Sequence, residues 1–341
     1  MGHGYLAKGV LLLVLVLSCM LQIVHSTFGT TQSGQLVKSY YDASCPKAEQ
    51  IVRTIVTKAV KKDPRAAASL VRLFFHDCFV SGCDGSVLLD NSTAMVSEKG
   101  ARPNVNTLRG FGIIEDIKEA LEKECCNTVS CADILAIAAR DSVVQTGGPH
   151  YDVLLGRRDN TIANYSGANE VLPSPKFNVT TLTQKFIAVG LTKEDMVTLS
   201  GAHTIGKSHC TSVTTRLFNQ SGTAKPDPAI PSRLLEKLQR KCPNDPTDLK
   251  TTLVLDDVTP ETFDNQYYKN LLARQGILYS DQILADTDGS NLELVKLYAA
   301  DQNMFFDAFV KSMTKMGNIS PLTGSNGEIR KICHRVNGYR D

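Results

Sequence analysis

The sequence of 341 residues contains no tryptophan and no marked excess of charge of either sign. Without an indole side chain, the protein cannot store an oxidising equivalent on tryptophan. Its 37 lysines and arginines nearly balance 35 aspartates and glutamates, and no long basic run concentrates positive charge on one face, so charge does not favour nucleic-acid binding. Hydrophobic residues make up 42% of the chain and charged residues 21%, which excludes intrinsic disorder and permits a sizeable core.

Long apolar runs are absent after the N-terminus. There, Lys8 precedes about fifteen mostly apolar residues at 10–24, which is the length of a secretory signal core and shorter than the roughly 20 residues of a transmembrane helix. This run predicts a signal peptide at residues 1–26, with cleavage as late as residue 34 as the alternative. We expect no membrane span in the remaining chain.

Paired C-x-x-C motifs are also absent. Of the ten cysteines, Cys19 leaves with the signal peptide, and the nine that remain indicate four disulfides and one leftover thiol in an oxidising compartment. Metal ligation by cysteine and histidine is the alternative, but the spacing that typifies such sites is missing. Five Asn-x-Ser/Thr sequons agree with export, although each alone is a weak signal. These candidate glycosylation sites are Asn91, Asn164, Asn178, Asn219 and Asn318.

Helical periodicity dominates the chain, whereas strand alternation is sparse and no internal repeat occurs. In one predicted helix, Ile114, Ile117 and Leu121 form the apolar stripe, and Lys118 lies on the opposite polar face. The Gly/Asn/Pro-rich stretch 147–175 is interpreted as a surface loop, so we expect a mostly α protein without a clear domain boundary. The predicted helical stretches are a segment opened by Pro46, residues 64–79, the segment around Ile117, residues 131–145, a segment that begins at Thr192 with Asp195, and residues 231–241, 262–275 and 291–316.

Arg72 and His76 form the first candidate catalytic pair. They are four residues apart in a strongly apolar segment, so on a helix they share one face. A guanidinium beside an imidazole depresses the pKa of the imidazole and keeps it neutral. A neutral histidine can accept a proton while a fixed arginine stabilises developing negative charge, which predicts a general base joined to an electrostatic stabiliser. A packed helical histidine next to a surface arginine is the alternative.

Oxygen-donor residues cluster in two places. Asp77, Asp84 and Ser86 place two carboxylates and a hydroxyl within ten residues, with Gly82 where a tight turn exposes carbonyl groups. Hard oxygen donors at this density suit Ca²⁺, although the EF-hand pattern is absent and an ordinary acidic turn is the alternative. A second oxygen-rich run occupies residues 256–264.

His203 and Asp281 are weaker candidates when each is considered alone. His203 lies among small and apolar residues, where a histidine is more often a satisfied core residue than a ligand. Asp281 places a carboxylate near an apolar segment and is equally compatible with a helix cap.

Together, these segments closely resemble the secretory plant peroxidases, which are the class III haem peroxidases. The resemblance covers about residues 35–341, and several long motifs occur in the family's order. It implies a mostly α haem peroxidase fold, in which about ten or more helices enclose a haem between distal and proximal halves of a single domain at 35–341. The matching stretches are Gln35, Y-D-A-S-C-P at 41–46, residues 72–86, V-S-C-A-D at 129–133, G-G-P at 147–149, L-G-R-R-D at 155–159, residues 199–206, F-D-N-Q-Y-Y at 263–268 and G-E-I-R at 327–330.

The resemblance also assigns roles around one haem b. It implies that His203 is the axial ligand of the iron and that Asp281 accepts the other imidazole N–H, which makes the ligand more electron-rich. On the distal side, His76 is the implied proton acceptor and Arg72 the transition-state stabiliser, while Asn104 sets the tautomer of His76. Three further residues have implied contacts with donor or haem: Phe75 as a wall of the distal pocket, Pro173 at the donor channel, and Arg65 near the haem propionates.

Two Ca²⁺ sites and four disulfides are likewise implied by the resemblance. Cys126 departs from the family, which usually has proline there, and it could remain a thiol, bridge to another molecule or compete with Cys125. Leu255 occupies a proximal position where some relatives carry an aromatic residue. The first calcium site comprises Asp77, Val80, Gly82, Asp84 and Ser86, and the second comprises Thr204, Asp256, Thr259, Thr262 and Asp264. The implied disulfides are Cys45–Cys125, Cys78–Cys83, Cys131–Cys333 and Cys210–Cys242.

The function implied is that of a secreted peroxidase. It reduces H₂O₂ to water by heterolytic O–O cleavage and oxidises phenolic donors in one-electron steps, in cell-wall phenol and lignin chemistry, reactive-oxygen handling and stress response. We expect a monomer in the apoplast, with the vacuole as the alternative, and no nucleic-acid or membrane partner. An exported wall-polysaccharide binder with haem and calcium but little turnover is the second hypothesis, and a cofactor-free, disulfide-rich structural protein is the third. The set Arg72, His76, Asn104 and Asp281 favours the enzyme, because a binder needs no peroxide-cleaving pocket.

Overall fold

The computed structural model describes residues 34–245, 248–287 and 289–338. Within these ranges the protein is mostly helical, as predicted, with thirteen α-helices and one small sheet. The expected signal peptide, its cleavage site and Cys19 lie outside the described residues. The α-helices are α1 Ala48–Lys62, α2 Arg65–Phe79, α3 Phe111–Glu124, α4 Cys131–Gln145, α5 Tyr165–Val171, α6 Val179–Ala188, α7 Lys193–Ser200, α8 Thr214–Phe218, α9 Ser232–Lys241, α10 Gln266–Leu272, α11 Tyr279–Asp286, α12 Ser290–Ala300 and α13 Gln302–Met316.

Short 3₁₀ helices and one β-ladder complete the described structure. Strands β1 (Lys207–His209) and β2 (Thr252–Val254) pair antiparallel, with Ser208 opposite Leu253. The 3₁₀ helix Gly201–Thr204 directly precedes β1, so the sheet holds the segment that carries His203. The other 3₁₀ helices are Ser86–Leu88, Glu98–Gly100, Cys210–Ser212 and Gln220–Gly222.

Local capping chemistry determines several helix starts. The Ser130 hydroxyl accepts a hydrogen bond from Asp133 N at the start of α4, which begins and ends as predicted. The predicted capping box of α7 is present, because Thr192 accepts from Asp195 N and the Asp195 carboxylate accepts from Thr192 N. Helix α1 begins at Ala48, so Pro46 lies in the preceding turn rather than inside the helix.

Three sequence expectations were wrong in detail. Lys118 is buried instead of lying on a polar face, because its Nζ donates to Val129 O at 2.7 Å. The stretch predicted at 262–275 is helical only in α10. The stretch predicted at 291–316 is two helices, since Asp301 adopts an extended backbone and its side chain caps α13 by accepting from Asn303 N and Met304 N.

The region 147–175 is also more than a surface loop. It contains α5, and Arg157 and Asp159 are fully buried. Arg157 Nη1 donates to Asp133 Oδ1 at 2.7 Å, and Asp159 accepts from the backbone N–H of Cys131 and Ala132. Buried charges need hydrogen-bonding partners, and these two residues find them at the start of α4. The bonds therefore anchor the region to that helix.

Two apolar cores organise the helices. In the larger core, α2 packs against α4 and presents Leu70, Leu73 and Phe74. The smaller core lies around α8, α9 and the start of α11, with Leu217 and Leu238 among its members. Helix α2 thus has a rigid support along one face, which fixes the direction of the side chains on its other face.

The four predicted disulfides are present: Cys45–Cys125, Cys78–Cys83, Cys131–Cys333 and Cys210–Cys242. Cys126 is also disulfide-bonded, and no described cysteine is a free thiol. The expected leftover thiol is therefore not found among the nine described cysteines. Removal of the signal peptide with Cys19 would leave an odd number of cysteines, and a leftover thiol in that processed chain stays a prediction. Across the described ranges, no helix combines the length and apolar character required to cross a membrane.

Candidate active site

His76 is buried on α2 and held through one ring nitrogen. Its Nδ1 lies 2.6 Å from Asn104 Oδ1, and Asn104 Nδ2 donates to Glu98 O at 2.8 Å. Because the amide nitrogen of Asn104 is used by a carbonyl acceptor, its oxygen is left to accept from His76. Neutral His76 therefore carries its proton on Nδ1 and leaves Nε2 as the basic nitrogen.

The environment keeps His76 uncharged. Burial lowers the pKa of His76 well below its usual value, the charge of Arg72 lowers it further, and the bond to Asn104 opposes both. The spacing of Arg72 and His76 predicts the effect of the arginine, but burial is the larger cause. A neutral imidazole with a free Nε2 can act as a proton acceptor at physiological pH.

Arg72 is fixed by the same loop that holds His76. Its Nη2 donates to Pro103 O at 2.9 Å and to Thr107 Oγ1 at 3.2 Å, in the loop that also carries Asn104. Burial lowers the pKa of Arg72 to about 10, so the guanidinium is still a cation at neutral pH. One loop therefore positions a neutral base and a fixed positive charge side by side.

His203 lies on the 3₁₀ helix Gly201–Thr204 with its Nδ1 bound to a carboxylate. Asp281 Oδ1, in the first turn of α11, is 2.9 Å from His203 Nδ1. Burial alone lowers the pKa of His203, but the charge and hydrogen bond of Asp281 outweigh it and the net pKa is raised. The bond leaves Nε2 as the ring atom that can bind a metal, and 41% of the side chain is accessible.

The segment that carries His203 packs close to α2, which carries Arg72 and His76. The charge of Arg72 also lowers the pKa of His203, although the effect of Asp281 is larger. A Cβ at Gly206 would lie 2.7 Å from Ala68 Cβ on α2, and Gly206 has φ +96°. Only glycine allows α2 to approach the segment after His203 so closely.

Aromatic side chains wall the space near His76. The ring of Phe75 lies 4.3 Å from that of Phe79 and 5.6 Å from that of His76, and Phe79 packs edge-on against Phe186 at 5.0 Å. A basic nitrogen, a fixed cation and an apolar wall therefore lie together on α2 and around it, and the segment of His203 packs against the same helix.

This geometry agrees with the comparisons with known proteins. A family model described as "Peroxidase" matches residues 52–301. The chain is 55% identical over 304 residues to "Peroxidase 72" of Arabidopsis thaliana, which covers 89% of this chain and 90% of that protein. The chain belongs to the plant peroxidase family. It is also 51% identical to "Peroxidase 15" of Ipomoea batatas, over 91% of this chain and 95% of that protein, and 50% identical to "Peroxidase 54" of Arabidopsis thaliana, over 94% and 89%.

The protein is therefore a haem peroxidase, an oxidoreductase that uses hydrogen peroxide to oxidise donor molecules. The residues present fit a haem. His203 offers a metal-binding Nε2 whose partner nitrogen is oriented by a buried carboxylate, which is the usual arrangement of a metal-bound histidine. On α2, His76 offers a neutral imidazole and Arg72 a fixed positive charge.

The first oxygen cluster of the peroxidase has the electrostatics of a cation site. Asp77 and Asp84 are buried side by side, and burial followed by the charge of Asp84 raises the pKa of Asp77 well above its usual value. The buried Ser86 hydroxyl lies close enough to lower the pKa of Asp84, yet it forms no hydrogen bond of good geometry with the described residues. Two adjacent carboxylates and an unpaired hydroxyl fit a hard cation.

The backbone of this loop is suited to presenting carbonyl groups. Val80 is buried, and Gly82 has φ +109° and packs so tightly that a Cβ would meet the carbonyl oxygens of Ile319 and Ser320. The Cys78–Cys83 disulfide closes the loop. Glycine is therefore required at 82 for a turn whose carbonyls can face inward.

In the second oxygen cluster, several of the oxygen-bearing side chains form hydrogen bonds with one another. Thr204 Oγ1 donates to Asp264 Oδ1 at 3.0 Å, and Asp256 accepts from Thr259 Oγ1 and from Asn270 Nδ2. Thr262 is the exception because its side chain is exposed, although its N–H bonds to Thr259 O. The cluster lies next to His203, since Thr204 is the adjacent residue.

The remaining predicted residues lie around the site. Pro173 is partly buried in the loop between α5 and α6, which is joined to α11 by the bond from Ser280 N to Pro175 O. Arg65 begins α2, and Leu255 N donates to Gly206 O beside the proximal segment. Four sequon asparagines are exposed, whereas Asn164 is partly buried and its Nδ2 donates to Ser81 Oγ.

Sequence reasoning missed several residues that shape the site. Pro103 and Thr107 hold Arg72, and Tyr267 donates to Asp281 Oδ1 at 3.1 Å. Glu98 is fully buried, with a pKa raised to about 7 by burial, and it links Asn104 to the first oxygen cluster. Tyr267 belongs to the F-D-N-Q-Y-Y motif, which supports the family resemblance but does not predict the contact with Asp281.

Proposed function

We propose that this peroxidase cleaves H₂O₂ with His76, Arg72 and Asn104 and oxidises phenolic donors one electron at a time. His203 would hold haem b, which would supply the iron for the two-electron reduction of peroxide. His76 Nε2 accepts a proton from one peroxide oxygen and delivers it to the other, which leaves as water. Arg72 stabilises the negative charge on the leaving oxygen, and Asn104 keeps His76 in the required tautomer.

The observation that carries this proposal is the bond between His76 Nδ1 and Asn104 Oδ1 beside the fixed guanidinium of Arg72. The bond orients the ring of His76, while burial and the charge of Arg72 keep it neutral. The proximal pair has a separate task, because Asp281 increases the electron density that His203 donates to iron, which favours peroxide cleavage over reversible binding.

Phenolic donors suit the apolar wall formed by Phe75 and its neighbours, with the Pro173 loop at the entrance. We also propose that two Ca²⁺ ions occupy the oxygen clusters and hold the distal and proximal histidines in position. The disulfides of the described residues support export, and we place the enzyme in the apoplast as a monomer. There, its products would enter cell-wall phenol and lignin chemistry.

Donor stoichiometry tests the proposal. The haem-loaded protein, supplied with limiting H₂O₂ and excess guaiacol, is expected to consume two guaiacol molecules per peroxide, because each donor gives one electron. An Arg72→Leu variant should retain haem but lose most of this turnover. Wild-type protein that binds cell-wall polysaccharide while consuming no guaiacol would contradict the proposal and favour the binder hypothesis.

The Asn104 contact gives a prediction with a pH signature. Because its hydrogen bond raises the pKa of His76, an Asn104→Val variant should have a His76 with a still lower pKa. The rate constant for H₂O₂ should fall by roughly tenfold to a hundredfold, as part of general-base catalysis is lost. At the same time, the acid limb of the pH–rate profile should move to lower pH, because a less basic His76 stays neutral, and able to accept a proton, in more acidic solution. Stopped-flow measurements from pH 4 to 8, with Asn303→Val as a control at an exposed position on α13, check both effects. An acid limb that moves upward would contradict the assigned contact.

A further inference from the structure

One carboxylate oxygen on the proximal side accepts two hydrogen bonds. Asp281 Oδ1 is 2.9 Å from His203 Nδ1 and 3.1 Å from the hydroxyl of Tyr267. Tyr267 is 3% exposed and lies on α10, whereas His203 and Asp281 are carried by other elements. The phenol therefore contacts the partner of the histidine and not the reacting atoms.

Two donors on one oxygen compete for the same negative charge. A phenol that donates to a carboxylate reduces the ability of that oxygen to accept from a second donor, and the effect is large where the surroundings are buried. With Tyr267 in place, the N–H of His203 is polarised less than it would be by Asp281 alone. The imidazole is then less imidazolate-like and donates less electron density through Nε2.

The phenol is held in this position by its neighbours. Its ring meets that of His203 edge-on at 6.3 Å and that of Tyr268 at 5.0 Å. The hydroxyl of Ser200, which donates to Met196 O, also lies close to the phenol oxygen. Rotation of the ring away from Asp281 would displace these contacts, so the competition is a permanent feature of the fold.

We infer that Tyr267 is a positioning residue that sets the electron donation of His203 to iron by sharing the acceptor oxygen of Asp281. The inference rests on the proposed role of His203 as the iron ligand. Asp281 lowers the reduction potential of the iron by making His203 more electron-rich. By this inference, Tyr267 raises the potential, because it weakens the effect of Asp281.

The adjacent tyrosine provides a matched control. Tyr268 is also buried on α10, but its hydroxyl donates to Val197 O and Thr198 O instead of to Asp281. Phenylalanine at either position removes one buried hydroxyl and keeps the ring. Only the change at 267 alters what Asp281 accepts.

Redox titration of the haem-loaded variants tests the inference. Tyr267→Phe should strengthen the bond from His203 to Asp281, stabilise ferric over ferrous iron by roughly tenfold and so lower the reduction potential by about 59 mV. Its iron–histidine stretching frequency in resonance Raman spectra should rise. Tyr268→Phe should change neither value. An unchanged potential in Tyr267→Phe, or an equal shift in both variants, would overturn the inference.

Asp281→Asn separates this inference from the ligand assignment. If His203 binds iron, Asp281→Asn raises the potential, and adding Tyr267→Phe to it produces no further shift, because the two residues act through one oxygen. A shift in Asp281→Asn with none in Tyr267→Phe would overturn the role of Tyr267 alone. The absence of a shift in both would overturn the role of His203 and with it the inference.

Discussion

Replacing His76 by leucine is expected to lower the rate constant for H₂O₂ by roughly 10²–10⁴-fold, which is the usual contribution of a positioned general base. Leucine occupies the buried position on α2 but has no atom that accepts the peroxide proton. Arg72 keeps its bonds to Pro103 and Thr107, so the electrostatic contribution to cleavage is preserved. The haem absorption band should be retained because the proximal side is untouched.

His150 offers a control for this substitution. It is exposed, and its Nε2 lies 3.4 Å from Arg140 Nη1, away from the loop that holds His76. His150→Leu should leave the rate constant unchanged in stopped-flow measurements at neutral pH. A His76→Leu variant that binds haem and reacts with peroxide at the wild-type rate would refute the role of His76 as proton acceptor.

Removal of calcium is expected to have the second large effect. At a calcium concentration about 1,000 times the dissociation constant, one bound ion stabilises the folded state by about 4 kcal/mol. For a domain of about 300 residues, loss of that ion corresponds to a fall in Tm of roughly 6 °C. Activity should fall as well, because Asp77 is adjacent to His76 on α2 and Thr204 is adjacent to His203.

Calorimetry and activity assays on the holoenzyme with and without a calcium chelator check this effect. An Asp77→Asn variant should resemble the chelated protein, since it removes a buried ligand charge. The control is Asp90→Asn, because Asp90 is mostly exposed and its carboxylate pairs with Lys99 at the surface. Full activity in a chelated sample whose two sites are shown to be empty would contradict the proposed calcium sites.

Local sequence signals predict the parts of the fold that local chemistry determines. Helix α4 is delimited by the Ser130 cap and the Gly147-Gly148 stop, and α7 by the Thr192–Asp195 box, so both could be predicted from a few residues. Periodicity alone did not detect the break at Asp301, because the capping side chain follows an apolar run that continues on both sides. Lys118 was misplaced because burial of its amine depends on Val129 O, which no helical pattern contains.

In the site, too, some features follow from local sequence and others require the tertiary structure. Arg72 and His76 share a face by their spacing, so their proximity is a property of one helix. The family resemblance, rather than spacing, connected them with Asn104, His203 and Asp281. The contacts of Pro103 and Thr107 required the structure, because each joins residues more than thirty positions apart in the chain. The contacts of Glu98 and Tyr267 span fewer residues but run through irregular segments, for which periodicity predicts no partner. Such contacts depend on tertiary packing, which a single sequence pattern does not encode.

The most direct test of the central claim is an absorption spectrum of the purified protein before and after one equivalent of H₂O₂. We expect a Soret band that loses intensity with peroxide and recovers through a second spectral form when guaiacol is added, because the proposal requires haem, peroxide cleavage and one-electron donation in sequence. A folded, haem-supplied preparation without a Soret band would contradict haem binding at His203. A Soret band that peroxide leaves unchanged would contradict the roles of His76 and Arg72.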